Sequence, residues 1–546
     1  MTAQVIPGRV VATLVDVGGP MFANSVELGL VVIKTQISRR SAGTGEVLLL
    51  PRLASAREFS ACAQKQENAV SAILERVVYQ QVSGVFSPAA PPVPGALRAL
   101  DGFYRRWKSM APRAAPVQLG TYAQRSYRGR RLALYKAAEE RVMREGLPKG
   151  AARVRAFIKH EKLPQGGKRV VPRIIQPRSP EFNVCIGRYM KHLEHDVYRL
   201  ITRVFGGDPD TLADMVVTKG MNGLQVAACL QGKWERYARP RCLLLDASRF
   251  DQHIGPVMLR YEHRLWKCFY PGDREFAQLC KMQLRQKASL WVDDVHIQFI
   301  SSTRCSGDMN TASGNCMIMC ACSYGLLEGL GLVGRVSFFD NGDDCGFIGE
   351  DADIERLRQA VPAFFDALGI VMKVEPVVDR FEAISYCQTQ PVFDGAQWVM
   401  VREVFASMSK DATILTPSLS ESGHPSESSR GGKPDFLLAL GKCGLALASG
   451  IPVVQSYYMA LMRGREGRKA YSGSRLEDTG MWQLSRGMVA RVREISPWAR
   501  ASFCAAFGIP PDAQVDIERQ LDALDAVWYT GVTLAEAERA TVFDRA

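Results

Sequence analysis

The strongest constraint on the fold is a short acidic turn between two apolar runs, in residues 336–348 (VSFFDNGDDCGFI). An Asn-Gly pair between apolar runs is a strong signal for a β-hairpin, so the sequence predicts two strands joined at Asn341 and Gly342. Asp343 and Asp344 then crowd the tip. Adjacent carboxylates repel each other and add no packing, which favours a cation site over a merely solvated turn.

A second acidic site follows another apolar run, in residues 242–253 (CLLLDASRFDQH). The uninterrupted run predicts a buried strand that ends at Asp246, where open sheets place ligand-binding groups. Asp251 follows five residues later. Alone the pair is weak evidence, because aspartates commonly end strands and cap helices. Together with the hairpin tip, however, Asp246 would complete a carboxylate set for two Mg²⁺ ions, which serves in-line phosphoryl transfer.

Between these sites lies a segment that predicts a turn followed by a helix, residues 304–325 (RCSGDMNTASGNCMIMCACSYG). Thr311 and Asn315, four residues apart, would share one face of that helix. Hydroxyl and amide groups both donate and accept, so these two with Asp251 suit recognition of a ribose 2′-hydroxyl. A capped core helix whose Thr and Asn satisfy backbone groups is the simpler interpretation of the segment alone.

Two basic segments precede the acidic sites. Residues 98–136 hold ten Lys or Arg against one acid, with Tyr104, Trp107, Tyr122, Tyr127 and Tyr135 interleaved. This pattern suits phosphate contact with base stacking, although a solvated helical face is the simpler account of any one residue. Residues 159–178 (KHEKLPQGGKRVVPRIIQPR) alternate cations with apolar pairs. They would aim several cations at a triphosphate or form a plain surface hairpin.

Composition limits the class of protein. The chain has 546 residues, 47% hydrophobic and 23% charged, and a net charge of +13. These values are typical of a globular protein, exclude a largely disordered chain and favour a polyanionic partner such as nucleic acid or an anionic membrane surface. The cysteines lack C-x-x-C spacing, which favours reduced, buried thiols over a zinc site. The apolar stretch 316–333 is interrupted by a glutamate and glycines, so it predicts a buried helix and turn rather than a membrane span.

Composition also marks segment boundaries. Residues 84–96 (GVFSPAAPPVPGA) are proline-rich and predict an extended linker or a strap over another surface. Beyond residue 405 the pattern is helical, with a Ser- and Gly-rich loop at residues 417–433.

Taken in order, the segments resemble the motifs of viral RNA-dependent RNA polymerases, most closely the tombusvirus type of positive-strand RNA viruses. The matching blocks lie within residues 120–460: SYRGRRLALY, KHEKL, PRIIQPRSPEFNVCIGRYM, DASRFDQH, SGDMNTASGN, NGDD, LGIVMKVE, YCQTQPVF and GKCGLALASGIPVVQSYY. One Gly-Asp-Asp is common by chance, whereas this ordered series is not.

The resemblance implies an α+β, right-hand polymerase with fingers, an antiparallel palm sheet and a mostly helical thumb. The implied limits are an N-terminal extension and linker of unknown role (1–96), fingers (97–240, with a further segment at 256–300), palm (241–404) and thumb (405–546). It also implies template-directed synthesis of RNA by two-metal nucleotidyl transfer.

The resemblance further assigns roles to residues. Asp246, Asp343 and Asp344 would be catalytic ligands of Mg²⁺, for which Mn²⁺ is a substitute. Asp251, Ser306, Thr311 and Asn315 would select the nucleotide's ribose, and Gly307 would also bind the nucleotide. Lys159 and Arg173 would bind the triphosphate, supported by Lys168, Arg169 and Arg178. Lys373 would be the general acid, unless it is a plain surface lysine, and residues 387–390 would grip the primer end or form a simple hairpin.

The expected partners are an RNA template and nascent strand, ribonucleoside triphosphates, and other viral or host replication proteins. Relatives often carry a membrane-targeting region, but residues 1–90 show no convincing span. We therefore expect no direct membrane anchor and action in the host cytoplasm, at membrane sites only through a partner. A reverse transcriptase, a metal-dependent nuclease and a non-catalytic RNA-binding protein are the alternatives. The last leaves the paired acids unexplained, and the nuclease has no need of the long basic segments.

Overall fold

The computed structural model describes residues 32–35, 48–49, 59–61, 66–82, 85–159, 161–164, 170–292, 295–411, 413–414, 436–465, 467 and 481–523. They form a mixed α/β fold with antiparallel sheets and many helices, in agreement with the predicted class. The strands are β1 (Val32–Thr35), β2 (Leu48–Leu49), β3 (Phe59–Ala61), β4 (Gln80–Val82), β5 (Val85–Ser87), β6 (Val154–Ile158), β7 (Lys162–Pro164), β8 (Ile174–Ile175), β9 (Pro240–Ala247), β10 (Gln286–Val292), β11 (Val295–Ser301), β12 (Ser337–Asp340), β13 (Asp344–Glu350), β14 (Met372–Val374), β15 (Thr389–Phe393), β16 (Trp398–Arg402) and β17 (Thr413–Ile414).

The helices follow the same chain order. They are α1 (Gln66–Ile73), α2 (Asp101–Met110), α3 (Tyr122–Ser126), α4 (Gly129–Glu145), α5 (Pro180–Met190), α6 (Glu194–Val204), α7 (Gly223–Trp234), α8 (Phe250–His253), α9 (Pro256–Lys267), α10 (Arg274–Lys281), α11 (Thr311–Gly329), α12 (Asp351–Ala367), α13 (Val404–Asp411), α14 (Phe436–Ala448), α15 (Val454–Met462), α16 (Met481–Leu484), α17 (Pro497–Phe507) and α18 (Pro511–Asp522). A π-helical turn (Leu74–Val78) continues α1.

A four-stranded antiparallel sheet, in the order β12-β13-β9-β14, carries the acidic sites. Its strand β9 is buried on both faces, since Leu243 and Leu245 pack into one hydrophobic core while Cys242 and Leu244 pack into another. Alternate residues of a strand point to opposite faces, so a strand between two cores needs an uninterrupted apolar run. The predicted buried strand, with Asp246 one residue before its end, is confirmed.

The larger of these cores is built around α11. The side chains of this helix from Cys316 to Leu327 are buried, and the helix contacts α2, α6, α9 and α12. The prediction of a buried helix at this position is confirmed. Among the described residues, none of the helices combines the length and hydropathy needed to cross a bilayer. The described cysteines are free thiols and most are buried, as predicted.

A five-stranded sheet carries the basic segment 159–178, in the order β1-β11-β10-β6-β8. Its strands are antiparallel except for the parallel pair β6 and β10. Helix α1 packs on this sheet, because Ala69, Ala72 and Ile73 share one core with Val154 and Ile297. Helix α1 and the turn that follows it therefore contribute to the same core as the basic segment.

The proline-rich segment lies against the end of α12. The amide of Val93 donates to the carbonyl of Ala367 (2.8 Å). Gly369 has a φ of +73°, and a Cβ at this position would lie 2.3 Å from the carbonyl oxygen of Ala90. Of the two predicted alternatives, the segment is thus a strap rather than a free linker.

Beyond residue 405 the described chain is mostly helical, as predicted. Helices α14, α15 and α18 share a core with the β15-β16 hairpin. Arg402 and Asp411 form a buried ion pair beside this core (2.9 Å), and Tyr458 also donates to Asp411 (3.0 Å). The predicted loop at residues 417–433 lies outside the described residues.

Candidate active site

The two acidic sequence sites meet at one end of the four-stranded sheet. Asp344, the first residue of β13, lies directly opposite Asp246 of β9. Lys373 of β14 lies opposite Asp246 on its other side. Opposite residues of adjacent antiparallel strands project to the same face, with Cβ atoms about 4.5–5.5 Å apart. The sheet register therefore brings Asp344, Asp246 and Lys373 into one row.

The hairpin tip places Asp343 beside the end of β9. The amide of Asn341 donates to the carbonyl of Asp344 (2.8 Å), which closes the predicted turn. Gly342 has a φ of +101°, a conformation that glycine adopts without steric penalty. The amide of Ala247 donates to the carbonyl of Asp343 (3.2 Å). This last bond fastens the tip to the strand that carries the other acid.

Two carboxyl groups of this site, those of Asp246 and Asp344, have raised pKa values. Burial and the charge of Asp343 raise the pKa of Asp246. Burial, with the charges of Asp343 and Asp246, raises the pKa of Asp344 to about 6. Carboxylate oxygens are the ligands that Mg²⁺ prefers, so the three acids have the donor chemistry that a divalent cation requires. Within the described ranges, no group of three or more His, Cys, Asp or Glu side chains is gathered closely enough to hold a metal ion.

Most of the predicted ribose-binding residues lie beside the acids. Asn315 Nδ2 donates to Asp251 Oδ1 (2.8 Å). Burial raises the pKa of Asp251, while hydrogen bonds from Asn315 and Ser306 oppose this shift. The hydroxyl of Thr311 donates to the carbonyl of Cys305 (2.9 Å) at the start of α11. Thr311 thus fills the backbone-satisfying role that the sequence left open.

Gly307 shapes the loop that carries Ser306. It has a φ of +122°, and an added Cβ would lie 3.3 Å from the backbone nitrogen of Pro177. The carbonyl of Ser306 accepts a hydrogen bond from the amide of Gln176 (2.6 Å). Gly307 therefore acts through its backbone, by allowing the loop to lie against residues 176–177.

Arg178 lies behind the same loop, away from the cleft. Its side chain is fully buried and forms an ion pair with Asp308. It also donates to Gln286 Oε1 (2.6 Å) and to the carbonyl of Ala152 (2.8 Å). A guanidinium whose donors are bonded inside the protein does not contact a nucleotide. The burial of Arg178 thus favours the supporting role that the resemblance implies over direct contact with a nucleotide.

An open cleft with a volume of about 370 Å³ joins the acidic and basic sites. Seven of the predicted site residues line it: Lys159, Arg173, Asp246, Asp251, Ser306, Asn315 and Asp343. The side chains of Lys159 and Arg173 are 43% and 58% exposed, and both approach Glu161 (3.4 and 3.5 Å). Such exposed ion pairs contribute little, so both cations are available to an anionic ligand. Lys168 and Arg169 lie outside the described residues.

Lys373 reaches the site from the exposed edge of the sheet. Its side chain is 59% exposed and forms an ion pair with Glu375. The hydrogen bond to Glu375 raises the pKa of Lys373, which keeps the ammonium charged. The position of Lys373 beside Asp246 and its positive charge fit a proton donor. Its exposure equally fits the alternative interpretation, a surface lysine without a catalytic role.

Two arginines of the cleft were missed by the sequence analysis, Arg76 and Arg249. Arg76 donates from Nε and Nη2 to the carbonyl of Val171 (3.0 and 2.8 Å). Burial, Arg173 and Arg249 lower the pKa of Arg76 to about 10, as expected for clustered cations. Arg249 stood inside the motif DASRFDQH, between two site residues, and that position was a usable signal. Arg76 belongs to a segment without a motif.

Three of the five aromatic residues in the first basic segment are buried, so they are not available for the predicted base stacking. Trp107 and Tyr122 are 0% exposed and Tyr127 is 9% exposed, so they pack in the core. Tyr135 stacks on Tyr127 with ring centroids 4.1 Å apart, and Arg264 lies over the ring of Tyr104. The cations between them, except the half-buried Arg106, are exposed: Arg98, Arg105, Lys108, Arg113, Arg125, Arg128, Arg130, Arg131 and Lys136. The segment therefore offers many exposed charges, whereas its remaining aromatic side chains, Tyr104 and Tyr135, are half-buried.

The predicted grip turn contacts the acidic hairpin. Cys387 and Gln388 have positive φ angles (50° and 59°), as in the tight turns that join two strands. The amide of Tyr386 donates to the carbonyl of Thr389 (2.9 Å). Asn341 Nδ2 approaches the sulfur of Cys387 (3.0 Å), so the turn lies against the tip that carries Asp343 and Asp344.

Comparisons with known proteins bear on this site. Residues 33–528 match a family model described as viral RNA dependent RNA polymerase. The RNA-directed RNA polymerase of Tobacco necrosis virus (strain A) is 38% identical over 448 residues, which are 82% of this chain and 59% of that protein. Those of Turnip crinkle virus and Tomato bushy stunt virus (strain Cherry) are each 32% identical over 459 residues, 83% and 84% of this chain and 56% and 53% of those proteins. The chain thus spans a little over half the length of these relatives.

Proposed function

Because the chain belongs to the family of viral RNA dependent RNA polymerases, we propose that it synthesises RNA on an RNA template and so replicates the genome of a positive-strand RNA virus. One observation carries the proposal: Asp246 and Asp343 line the same cleft as Lys159 and Arg173. A single opening thus combines carboxylates suited to divalent cations with cations suited to a triphosphate.

The proposal includes the right-hand layout. The antiparallel sheet within residues 241–404 would be the palm. The five-stranded sheet, with residues 97–240 and 256–300, would be the fingers, and residues 405–546, whose described part is mostly helical, would be the thumb. The packing of α1 on the five-stranded sheet supports counting residues 66–82 with the fingers.

In the proposed reaction, the 3′-hydroxyl of the nascent strand attacks the α-phosphorus of a ribonucleoside triphosphate. A phosphodiester bond forms, the bond to the β-phosphate breaks and pyrophosphate leaves. Asp246, Asp343 and Asp344 would hold Mg²⁺, or Mn²⁺ in its place. When bound, the ions supply positive charge to the attacking and leaving oxygens. Lys373, in register with Asp246, would protonate the pyrophosphate.

The basic side of the cleft would hold the triphosphate. Lys159 and Arg173 would exchange their weak pairing with Glu161 for charge-assisted hydrogen bonds to phosphate oxygens. Arg76 and Arg249, which line the same cleft, would add to this cationic wall. On the opposite side, Asp251, Ser306 and Asn315 would contact the ribose.

The proposed partners are an RNA template, the nascent strand and ribonucleoside triphosphates. The exposed cations of residues 98–136 would contact RNA phosphates, so RNA affinity should fall as salt rises. The enzyme would act in the host cytoplasm. Other viral or host replication proteins would recruit it to membrane-associated replication sites.

The test is to give the purified chain an RNA template, Mg²⁺ or Mn²⁺ and four ribonucleotides, and to look for a full-length complementary strand. We expect synthesis by the natural chain and a loss of more than about a hundredfold with Asp343→Ala. The control, Asp351→Asn, changes an exposed acid paired with Arg241 at the far end of β9 and should leave synthesis intact. Preference for deoxynucleotides, or hydrolysis without synthesis, would overturn the proposal.

A further inference from the structure

A fully buried ion pair lies beside the residues proposed to recognise the ribose. The side chains of Arg304 and Glu262 are both 0% exposed and form a salt bridge. Removing two charges from water is costly, and a buried ion pair often stabilises a fold no more than apolar residues of the same size. Stability of the fold alone therefore does not explain this ion pair.

Hydrogen bonds connect Arg304 to the site through Asn315. Arg304 Nε donates to Asn315 Oδ1 (3.1 Å), and Asn315 Nδ2 donates to Asp251 Oδ1 (2.8 Å). A guanidinium only donates hydrogen bonds, whereas an ionised carboxylate only accepts them. Turning the Asn315 amide over would place donor against donor at Arg304 and acceptor against acceptor at Asp251. This chain of bonds thus admits one orientation of the amide.

Glu262 is held in turn by its own neighbours. Its Oε1 accepts hydrogen bonds from Asn310 Nδ2 (2.6 Å) and Trp266 Nε1 (3.1 Å), while Oε2 meets Arg304. Gly314 gives the pair its room, because a Cβ there would lie 2.3 Å from Glu262 Oε1. Glu262 consequently fixes the guanidinium that faces Asn315.

We propose that Arg304, held by Glu262, is a positioning residue for the discrimination of ribose from deoxyribose. By fixing Asn315, it holds Asp251 and the Ser306 hydroxyl bonded to it in one arrangement, which would receive the nucleotide's 2′-hydroxyl. Because it is fully buried, Arg304 acts through Asn315 and not by contact with the nucleotide. This inference rests on the proposed polymerase function and adds the group that sets its sugar specificity.

The test compares kcat/KM for UTP and dUTP, with the full chain extending a primer on an RNA template. The double variant Glu262→Met with Arg304→Met removes both charges together and leaves no unpaired one. We expect kcat/KM for UTP to fall about tenfold and that for dUTP to stay unchanged, since about one hydrogen bond to the 2′-hydroxyl is lost. Arg304→Lys keeps a positive charge beside Glu262 but cannot reproduce the planar guanidinium. It should also lower the ratio of kcat/KM for UTP to kcat/KM for dUTP.

A matched control separates this effect from loss of stability. Arg402→Met with Asp411→Leu removes a buried ion pair near the second core and should leave the UTP to dUTP ratio unchanged. In an Asn315→Ala background, the Arg304 and Glu262 changes should have no further effect on the ratio. An unchanged ratio in an active double variant or in Arg304→Lys, or an equal loss without Asn315, would overturn the inference. A natural chain without any RNA synthesis would instead overturn the proposed function.

Discussion

The acidic and basic sides of the cleft are built differently. Asp246 and Asp344 lie in the long β9-β13 ladder, whose register runs from Asp344 opposite Asp246 to Glu350 opposite Pro240. Lys159 and Arg173 flank the short β6-β8 pairing and hold exposed side chains beside Glu161. The fold therefore sets where the acids lie, whereas a bound anion would set the final positions of the cations.

The sharpest way to break this contrast is to change an acid without changing its shape. Asp246→Asn should lower the rate of RNA synthesis by more than about a hundredfold, because a proposed metal ligand is lost and no other side chain in a fixed sheet moves in. Single-turnover incorporation measures this loss. The contrast would be wrong if Asp246→Asn kept more than about a tenth of the rate.

Removing a cation should have a smaller effect of another kind. Arg173→Ala should raise KM for ribonucleotides about tenfold with little change in kcat, because one charge-assisted bond to the ground-state triphosphate is lost. Arg155→Ala is the matched control, since Arg155 is an exposed cation on the neighbouring strand β6. A fall in kcat alone would show that Arg173 acts on the chemical step instead.

Arg76 tests whether the segment before residue 97 belongs to the basic side. Arg76→Ala should raise KM about threefold, less than at Arg173, because Arg76 is already bonded to the carbonyl of Val171. The effect should shrink at high salt, where charge interactions are screened. A KM that does not change at low salt would remove Arg76 from the cationic wall.

The smallest effect concerns the stability of the acidic side. Asp340 is fully buried, and burial raises its pKa to about 8, well above the value of about 3.9 in an unfolded chain. The folded protein keeps a proton that the unfolded chain releases, so stability falls as pH rises from about 4 to about 8. Asp340→Asn should therefore raise the melting temperature by a few degrees, more at about pH 8 than at about pH 5.

Thermal melting of both proteins at the two pH values checks this expectation. Asp353→Asn is a control of opposite sign, because Asp353 is buried but paired with Arg335 (2.9 Å). Loss of this ion pair should lower the melting temperature. An advantage of Asp340→Asn that did not grow with pH would mean that the Asp340 carboxyl does not titrate as described.

The sequence predicted the acidic side well, because strand patterns and turn residues specify backbone geometry directly. The apolar run before Asp246 indicated β9, and the Asn-Gly pair before Asp343 indicated the turn between β12 and β13. The viral polymerase resemblance built on these motifs is confirmed by the family match. The catalytic roles of the residues remain predictions.

The basic side was predicted less well, because a charge pattern does not tell where a long side chain ends. Arg178 stood among the cations of its segment but turns inward to Asp308, and Trp107 stood among exposed arginines but fills the core. Arg76 reaches the cleft through packing between segments distant in sequence, and no local pattern reports such a contact.

The row formed by Asp344, Asp246 and Lys373 limits how this protein can change over time. Successive residues of a strand point to opposite faces, so inserting or deleting one residue in β9 would turn Leu245 out of its own core and turn Asp246 into that apolar core. Point substitutions and longer surface loops do not change which face of the strand each residue points to. Length variation in related viruses should therefore accumulate between the strands and be excluded from them.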